Sequence, residues 1–400
     1  MNRLSIPELG LVLLVACLAA IVSRRLRLPY SVGLMLAGMG LALTPVGINL
    51  PLSRDLIFTV FLPPLVFEAA VQMKWKRFRR ELPATLLLAF PGVILAAAIV
   101  AAGVHFWLGW SWIGAGLFGV LIAATDPVAV IAAFKETPVD ARLRTIVQSE
   151  SLLNDGVAAV GFAVLLSVLA GDSGGPMALG IAALWSIAGA VLTGGAVALL
   201  LLLLSGRTAD HLVEITLTTL AAYGSFLLAE RLGASGVLAS LTAGLVMGNL
   251  GWTGYISEQG RGHVLAFWQY AAFLANSVVF ILIGSHEAHQ RLALFSGAAA
   301  VAVVLVIMAR GLTVYPLAAL LSGTRLRIPW RYRHVLFWGG LRGALALALA
   351  LALPATVAER GEIVVAAFAV VAFSVLVQGL TMPWLIRRLM PTTSEDPAAD

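Results

Sequence analysis

The feature that most constrains this chain is a long apolar run that recurs from end to end. A helix needs about 20 mainly apolar residues to cross the hydrocarbon core of a bilayer. Thirteen such runs read as spans: 5–22, 30–43, 55–73, 82–103, 111–134, 143–170, 177–204, 211–230, 235–249, 264–284, 292–321, 334–354 and 363–386. The second and ninth are short and read as tilted or broken. Composition agrees: 12% of the 400 residues are charged, against about 25% in a soluble domain. No loop is long enough for a soluble domain. Residues 1–390 therefore read as a single transmembrane domain of an all-α membrane protein, with 391–400 a short cytoplasmic tail.

The basic residues orient the spans. Loops after odd-numbered runs hold Arg24, Arg25, Arg27, Lys74, Lys76, Arg77, Arg79, Arg80, Lys135, Arg142, Arg144, Arg207, Arg261, Arg325, Arg327, Arg331, Arg333, Arg387 and Arg388. The other side holds Arg3, Arg54, Arg231, Arg291 and Arg360. This asymmetry puts the odd loops in the cytoplasm, the N-terminus outside and the C-terminus inside. The cluster Arg24-Arg25-Leu26-Arg27 follows the first run, which favours an N-out helix over a cleaved leader. The net charge of +6 then belongs to cytoplasmic loops rather than to a nucleic-acid surface. Lys74-Trp75-Lys76-Arg77-Phe78-Arg79-Arg80 suits anchoring at anionic lipid.

Charges inside a membrane are costly and by default mark function. Six stand out: Glu68, Asp126, Glu150, Asp155, Arg310 and Arg342. Four acids against two bases would attract a cation or hold protons. In the sixth run, Glu150-Ser151-Leu152-Leu153-Asn154-Asp155-Gly156 puts Ser151 and Asp155 at i, i+4 on one helix face, with Glu150 and Asn154 on a second. Asn-Asp-Gly is also turn chemistry, but the apolar run needs residues 143–156 to span comfortably. In the fifth run, Ala124-Thr125-Asp126-Pro127 predicts unwound backbone at Thr125 and Asp126. Such backbone is tolerated in a membrane only where it lines protein or a wet cavity.

The twelfth run has Gly339-Gly340-Leu341-Arg342-Gly343, a second interruption. Pro63-Pro64 predicts another break one turn before Glu68, and Pro91-Gly92 a hinge or packing kink. With the seventh run as a linker, runs one to six match runs eight to thirteen as inverted repeats. Interrupted segments at matching places in the two halves are the best pointer to a transporter site near the midplane.

Other signals read as architecture. Gly233-Ala234-Ser235-Gly236 fits an intramembrane serine nucleophile, but no histidine lies mid-span to activate it. There is no Walker motif, so ATP drive is not expected, and the histidines lack metal-ligand spacing. Glu214 and Glu230 lie near the ends of the eighth run, where long side chains reach water. His105, Trp107, Trp110 and Trp112 read as an interfacial belt.

Four motifs, taken together, carry a family resemblance. Phe61-Leu62-Pro63-Pro64-Leu65-Val66-Phe67-Glu68, Thr125-Asp126-Pro127-Val128, Glu150-Ser151-Leu152-Leu153-Asn154-Asp155-Gly156 and Gly340-Leu341-Arg342-Gly343-Ala344 closely resemble the monovalent cation:proton antiporter-1 family. The resemblance implies a homodimer of about thirteen helices with two discontinuous crossing helices. It implies that Asp155 carries cation or proton, with Ser151, Glu68 and the Thr125 backbone completing a Na⁺ shell and Asp126 helping through water. Glu150 would pair with Arg310, Asn154 would join that polar network, and Arg342 would sit at the helix crossing. Asn154-Asp155, rather than two aspartates, resembles the electroneutral branch.

The expectation is a non-enzymatic secondary transporter that exchanges Na⁺ or Li⁺ for H⁺, 1:1, by alternating access, without a cofactor. Its expected partners are membrane lipids and a second copy of the chain, and its location a bacterial inner membrane. K⁺/H⁺ exchange on the same scaffold is the alternative. A passive cation channel or an ion sensor is a further one, though no repeated pore segment supports it.

Overall fold

The computed structural model describes residues 6–26, 28–43, 56–136, 139–171, 174–205, 210–289 and 297–390. Among these it is helical, with no strand. The tail 391–400 and Arg3, Arg27, Arg54, Arg207 and Arg291 lie outside the described residues. The helices are α1 (Ile6–Leu26), α2 (Tyr30–Ala42), α3 (Leu62–Val71), α4 (Trp75–Leu108), α5 (Trp112–Ala123), α6 (Val128–Glu136), α7 (Ala141–Ala170) and α8 (Pro176–Ser205). They continue as α9 (His211–Arg231), α10 (Gly236–Asn249), α11 (Glu258–His289), α12 (Gly297–Leu320), α13 (Trp330–Trp338), α14 (Ala344–Leu351), α15 (Arg360–Phe373) and α16 (Gly379–Leu389). Among the described residues each apolar run is largely helical, with breaks inside the fifth and twelfth. Seven helical stretches among the described residues are long and apolar enough to cross a membrane.

Local chemistry sets the ends. Asp140 opens α7 by accepting from the Arg142 N–H at 2.7 Å, and Ser111 opens α5 by accepting from Gly114 N–H at 3.1 Å. Each satisfies a donor that the first helical turn leaves free. Ser235 opens α10 in the same way, accepting from Leu238 N–H, so the nucleophile-like motif is a helix cap. α7 runs unbroken through Asn154-Asp155-Gly156, and α4 unbroken through Pro83 and Pro91. The proline pair Pro63-Pro64 starts α3, where a π-helical stretch, Leu56–Phe61, gives way to α-helix.

Two readings are corrected. Glu214 does not reach for water. It is buried, and accepts from the Ser257 N–H at 2.7 Å and from the Ser257 hydroxyl, ahead of α11. A carboxylate near the positive end of a helix is favourable there. Trp110 does not face the interface as Trp107 and Trp112 do. It is buried and donates to Glu362 at 2.6 Å.

The helices pack as two groups. α1, α2, α3 and α8 to α11 form one. α4 to α7 and α12 to α16 form the other. Within the first, α2 and α11 approach backbone to backbone: a Cβ on Gly38 would lie 2.1 Å from the Ile281 carbonyl, and one on Gly284 2.0 Å from that of Met35. Small residues permit the close van der Waals contact that holds helices together in lipid. Contacts between the groups are sparse, and a large cavity lies between them.

Candidate functional site

The site forms where the two interrupted spans meet. The backbone leaves helix after Ala123 and re-enters at Val128, and leaves again after Trp338 and re-enters at Ala344. The open segments bond to each other: Asp126 N–H donates to the Leu341 carbonyl at 2.7 Å. Arg342, 2% exposed, donates to the carbonyls of Ala123 at 3.1 Å and Ala124 at 3.2 Å. Those carbonyls end α5, where helical partial charge is negative, so a guanidinium compensates it.

The glycines flanking Arg342 allow the crossing. A Cβ on Gly343 would lie 2.4 Å from Asp126 Oδ2, and one on Gly340 would lie 2.6 Å from Arg310 Nε. Asp126 itself accepts from Val128 N–H through Oδ1 at 2.9 Å, which starts α6.

α7 supplies the rest. Glu150 and Arg310 form a buried bidentate pair, at 2.7 Å to Nη1 and 3.0 Å to Nη2. Arg310 also donates to the Leu336 carbonyl at 3.0 Å. Asn154 accepts from Thr125 N–H at 3.2 Å and donates to Thr125 Oγ1 at 2.6 Å and to Glu150 Oε1 at 3.3 Å. The hydroxyls of Thr125 and Ser151 share a hydrogen bond of 3.0 Å. One helix thus fixes the unwound Thr125 and ties it to the Glu150–Arg310 pair. A buried pair of this kind is costly to break from one side.

Asp155 is treated differently. It faces the cavity between the helix groups, and its Oδ1 is buried without a hydrogen-bond partner. The cavity holds about 860 Å³ and is also bordered by Glu68, Thr125 and Asp126. Arg24, Lys74, Arg77 and Arg144, all at the basic-loop ends of their helices, border it too. Leu62, Val66, Leu345 and Ala346, buried in the apolar core, also line it.

Some expected neighbours do not converge. Ser151 does not border the cavity and reaches it only through Thr125. Glu68 is hydrogen-bonded by Gln72, its i+4 neighbour. Among the described residues no three His, Cys, Asp or Glu side chains gather as a metal cluster. Four amides in the cavity wall were not singled out in the sequence: Gln72, Gln148, Gln269 and Asn276. Spacing could have found them. Gln148 is two turns from Asp155 on the same face of α7, and Gln269 and Asn276 stand in the same relation on α11.

A set of carboxylate, hydroxyl, carbonyl and amide oxygens suits a hard cation, and an unpaired buried carboxylate oxygen suits a cation or a proton.

The profile of the transmembrane sodium/hydrogen exchanger family matches residues 12–388. A Na⁺/H⁺ antiporter of Synechocystis sp., NhaS2, is 38% identical over 96% of this chain and 70% of its own length. The antiporter ApNhaP of Aphanothece halophytica is 37% identical over 94% of this chain and 72% of its own. Among solved structures, the sodium proton antiporter MjNhaP1 of Methanocaldococcus jannaschii superposes with a TM-score of 0.78 over 97% of this chain and 99% of that one, at 20% identity. That likeness speaks to the fold.

Proposed function

The chain belongs to the sodium/hydrogen exchanger family, and from that premise we propose that it exchanges Na⁺ for H⁺ across a membrane, with both ions competing for Asp155. It is a multi-pass integral membrane transporter. The observation that carries the reading is the unpartnered Asp155 oxygen in a cavity beside two crossed, interrupted helices.

The mechanism follows from charge. A carboxylate in a confined site is stable when a proton or a cation neutralises it and costly when neither does. Only the two occupied forms cross the barrier, so each Na⁺ moved one way is matched by a proton moved the other. The exchange is electroneutral, 1:1, and needs no ATP and no cofactor. Li⁺ competes with Na⁺ as a second hard cation.

Thr125, held by Asn154, offers backbone carbonyl, and Ser151 holds the Thr125 hydroxyl. Glu68 and Asp126 complete the shell as the groups close, directly or through water. Glu150, Arg310, Asn154 and Arg342 keep the crossing rigid. The sparse contact between the helix groups supports access that alternates by one group shifting against the other, with the halves of the chain as inverted repeats. By the basic-loop rule the described cavity faces the cytoplasm. The transporter works as a homodimer in the inner membrane of a bacterium, with lipids around it.

The test is purified protein in liposomes with an internal pH dye, an imposed proton gradient and a clamped potential. Na⁺ and Li⁺ should collapse the gradient, K⁺ should not, and changing the potential should leave the rate unaltered. Collapse by K⁺ ahead of Na⁺ would overturn the cation assignment. Dependence on potential would overturn the stoichiometry, and no response from folded protein would overturn exchange itself.

A further inference from the structure

A second, much smaller cavity lies behind the crossing, away from Asp155. It holds about 10 Å³; apolar side chains such as Val306 and Phe337 form part of its wall, and Arg310, Arg342, Ser374 and Gln378 are its polar border. Its size matches the roughly 10–15 Å³ that one buried water needs.

Its chemistry matches as well. Both terminal nitrogens of Arg310 are engaged, on Glu150 and Leu336, and one terminal nitrogen of Arg342 donates to Ala123 and Ala124. The Nε–H of each is buried and has no hydrogen-bond partner. Both arginines border this one small space and each carries one such unpaired donor, so a single acceptor there would serve both. Ser374 and Gln378 come from a π-helical stretch, Ser374–Gln378, between α15 and α16. The wide π turn sets residues four apart nearly in line, and such stretches recur at functional sites. Both residues are buried, at 2% and 6% exposure.

We propose that this cavity binds one water molecule, which accepts from the Nε–H of Arg310 and of Arg342 and donates to Ser374 and Gln378. The water closes a continuous network: Glu150 to Arg310, through the water to Arg342, and on to the carbonyls that end α5. Ser374 and Gln378 are then positioning residues for the transport site. They act through Arg342 on the backbone that leads into Thr125, although they lie on a different helix and touch neither ion.

The first test is a map of the full-length protein at a resolution where other buried waters are visible, with and without bromide. A single peak within hydrogen-bond reach of both Nε atoms, unchanged by bromide, is expected. No peak there would overturn the proposal, and so would an anomalous bromide signal, which would make the site an anion site.

The second test is transport. Ser374→Val fills the space with a methyl group and displaces the water, whereas Ser374→Ala leaves it three partners. Ser374→Val should raise half-saturating Na⁺ about fivefold at an equal amount of folded protein, because unmet buried donors shift their neighbours. Ser374→Ala removes one acceptor but keeps the water, so it should raise half-saturating Na⁺ by about twofold at most. Equal behaviour of the two variants would overturn the positioning role. The transport arm rests on the exchange reading above and the density arm does not, so the two fail separately.

Discussion

Asp126 gives its backbone N–H to the carbonyl of Leu341 at 2.7 Å, so the two interrupted spans are bonded to each other at the point where each has left its helix. In the middle of each open segment, at Asp126 and Leu341, the backbone groups that meet have left their helices. One segment gives the other that N–H, and the other returns the Arg342 guanidinium, which covers the carbonyls of Ala123 and Ala124. In lipid, unwound backbone survives only when such partners exist.

Gly343→Ala tests the crossing. The new Cβ would fall 2.4 Å from Asp126 Oδ2 and 2.5 Å from Asp126 Cβ. Overpacking of this kind costs about 1–3 kcal/mol. Exchange should drop about a hundredfold as Asp126 is displaced, while the protein still purifies as a folded species. Unchanged exchange would mean the crossing does not set the site.

Glu150→Ala tests the ion pair. It strands Arg310, 9% exposed, without its carboxylate. Breaking a buried pair from one side costs about 3–5 kcal/mol, and replacing both partners by apolar residues recovers much of that. Melting of the detergent-solubilised protein should fall sharply for Glu150→Ala and recover in Glu150→Leu with Arg310→Met. A melting temperature unmoved by Glu150→Ala would contradict a structural role.

Ser151→Ala tests the hydroxyl that Thr125 uses. Ser151 sits behind Thr125 rather than on the cavity wall. Half-saturating Na⁺ should rise about threefold with little change in melting, the size expected for one hydrogen bond. An unaltered concentration dependence would remove Ser151 from the site.

Glu359→Gln gives a pH prediction outside the spans. Glu359 lies in the connection between α14 and α15 and accepts from the Ser111 N–H at 2.9 Å and from the Ser111 hydroxyl at 3.1 Å. Burial pushes its carboxyl up, but the hydrogen bonds from Ser111 and from its own N–H hold it below the ordinary value. A lowered folded value stabilises above the unfolded value of about 4.3 and is lost as pH falls through the folded one. Melting of wild type and Glu359→Gln should therefore differ near neutral pH and converge on acidification. A difference that grows in acid would reverse the sign and refute the account.

Much of the site was legible because charge is rare in a membrane. Glu68, Asp126, Glu150, Asp155, Arg310 and Arg342 stood out against apolar neighbours, and Pro127 and Gly343 marked the unwound backbone beside two of them. Helix periodicity predicted a shared face for Ser151 and Asp155, but not that Thr125 would stand between Ser151 and the cavity. That depends on how α5 ends against α7, a long-range fact. The partner of Glu150 was legible only through family resemblance, since spacing does not say which arginine crosses 160 positions. Glu214 and Trp110 misled for the opposite reason. Position near a span end suggested water, and tertiary contacts with Ser257 and Glu362 supplied partners instead.

The central claim is that Na⁺ and H⁺ displace one another at Asp155. The direct measurement is proton release on adding Na⁺ to purified protein in weakly buffered solution, for wild type and Asp155→Asn. Wild type should release about one proton per Na⁺ bound, as linkage requires when both ions neutralise one carboxylate, and folded Asp155→Asn should release none. Undiminished release from Asp155→Asn would place the exchange on another group and contradict the account.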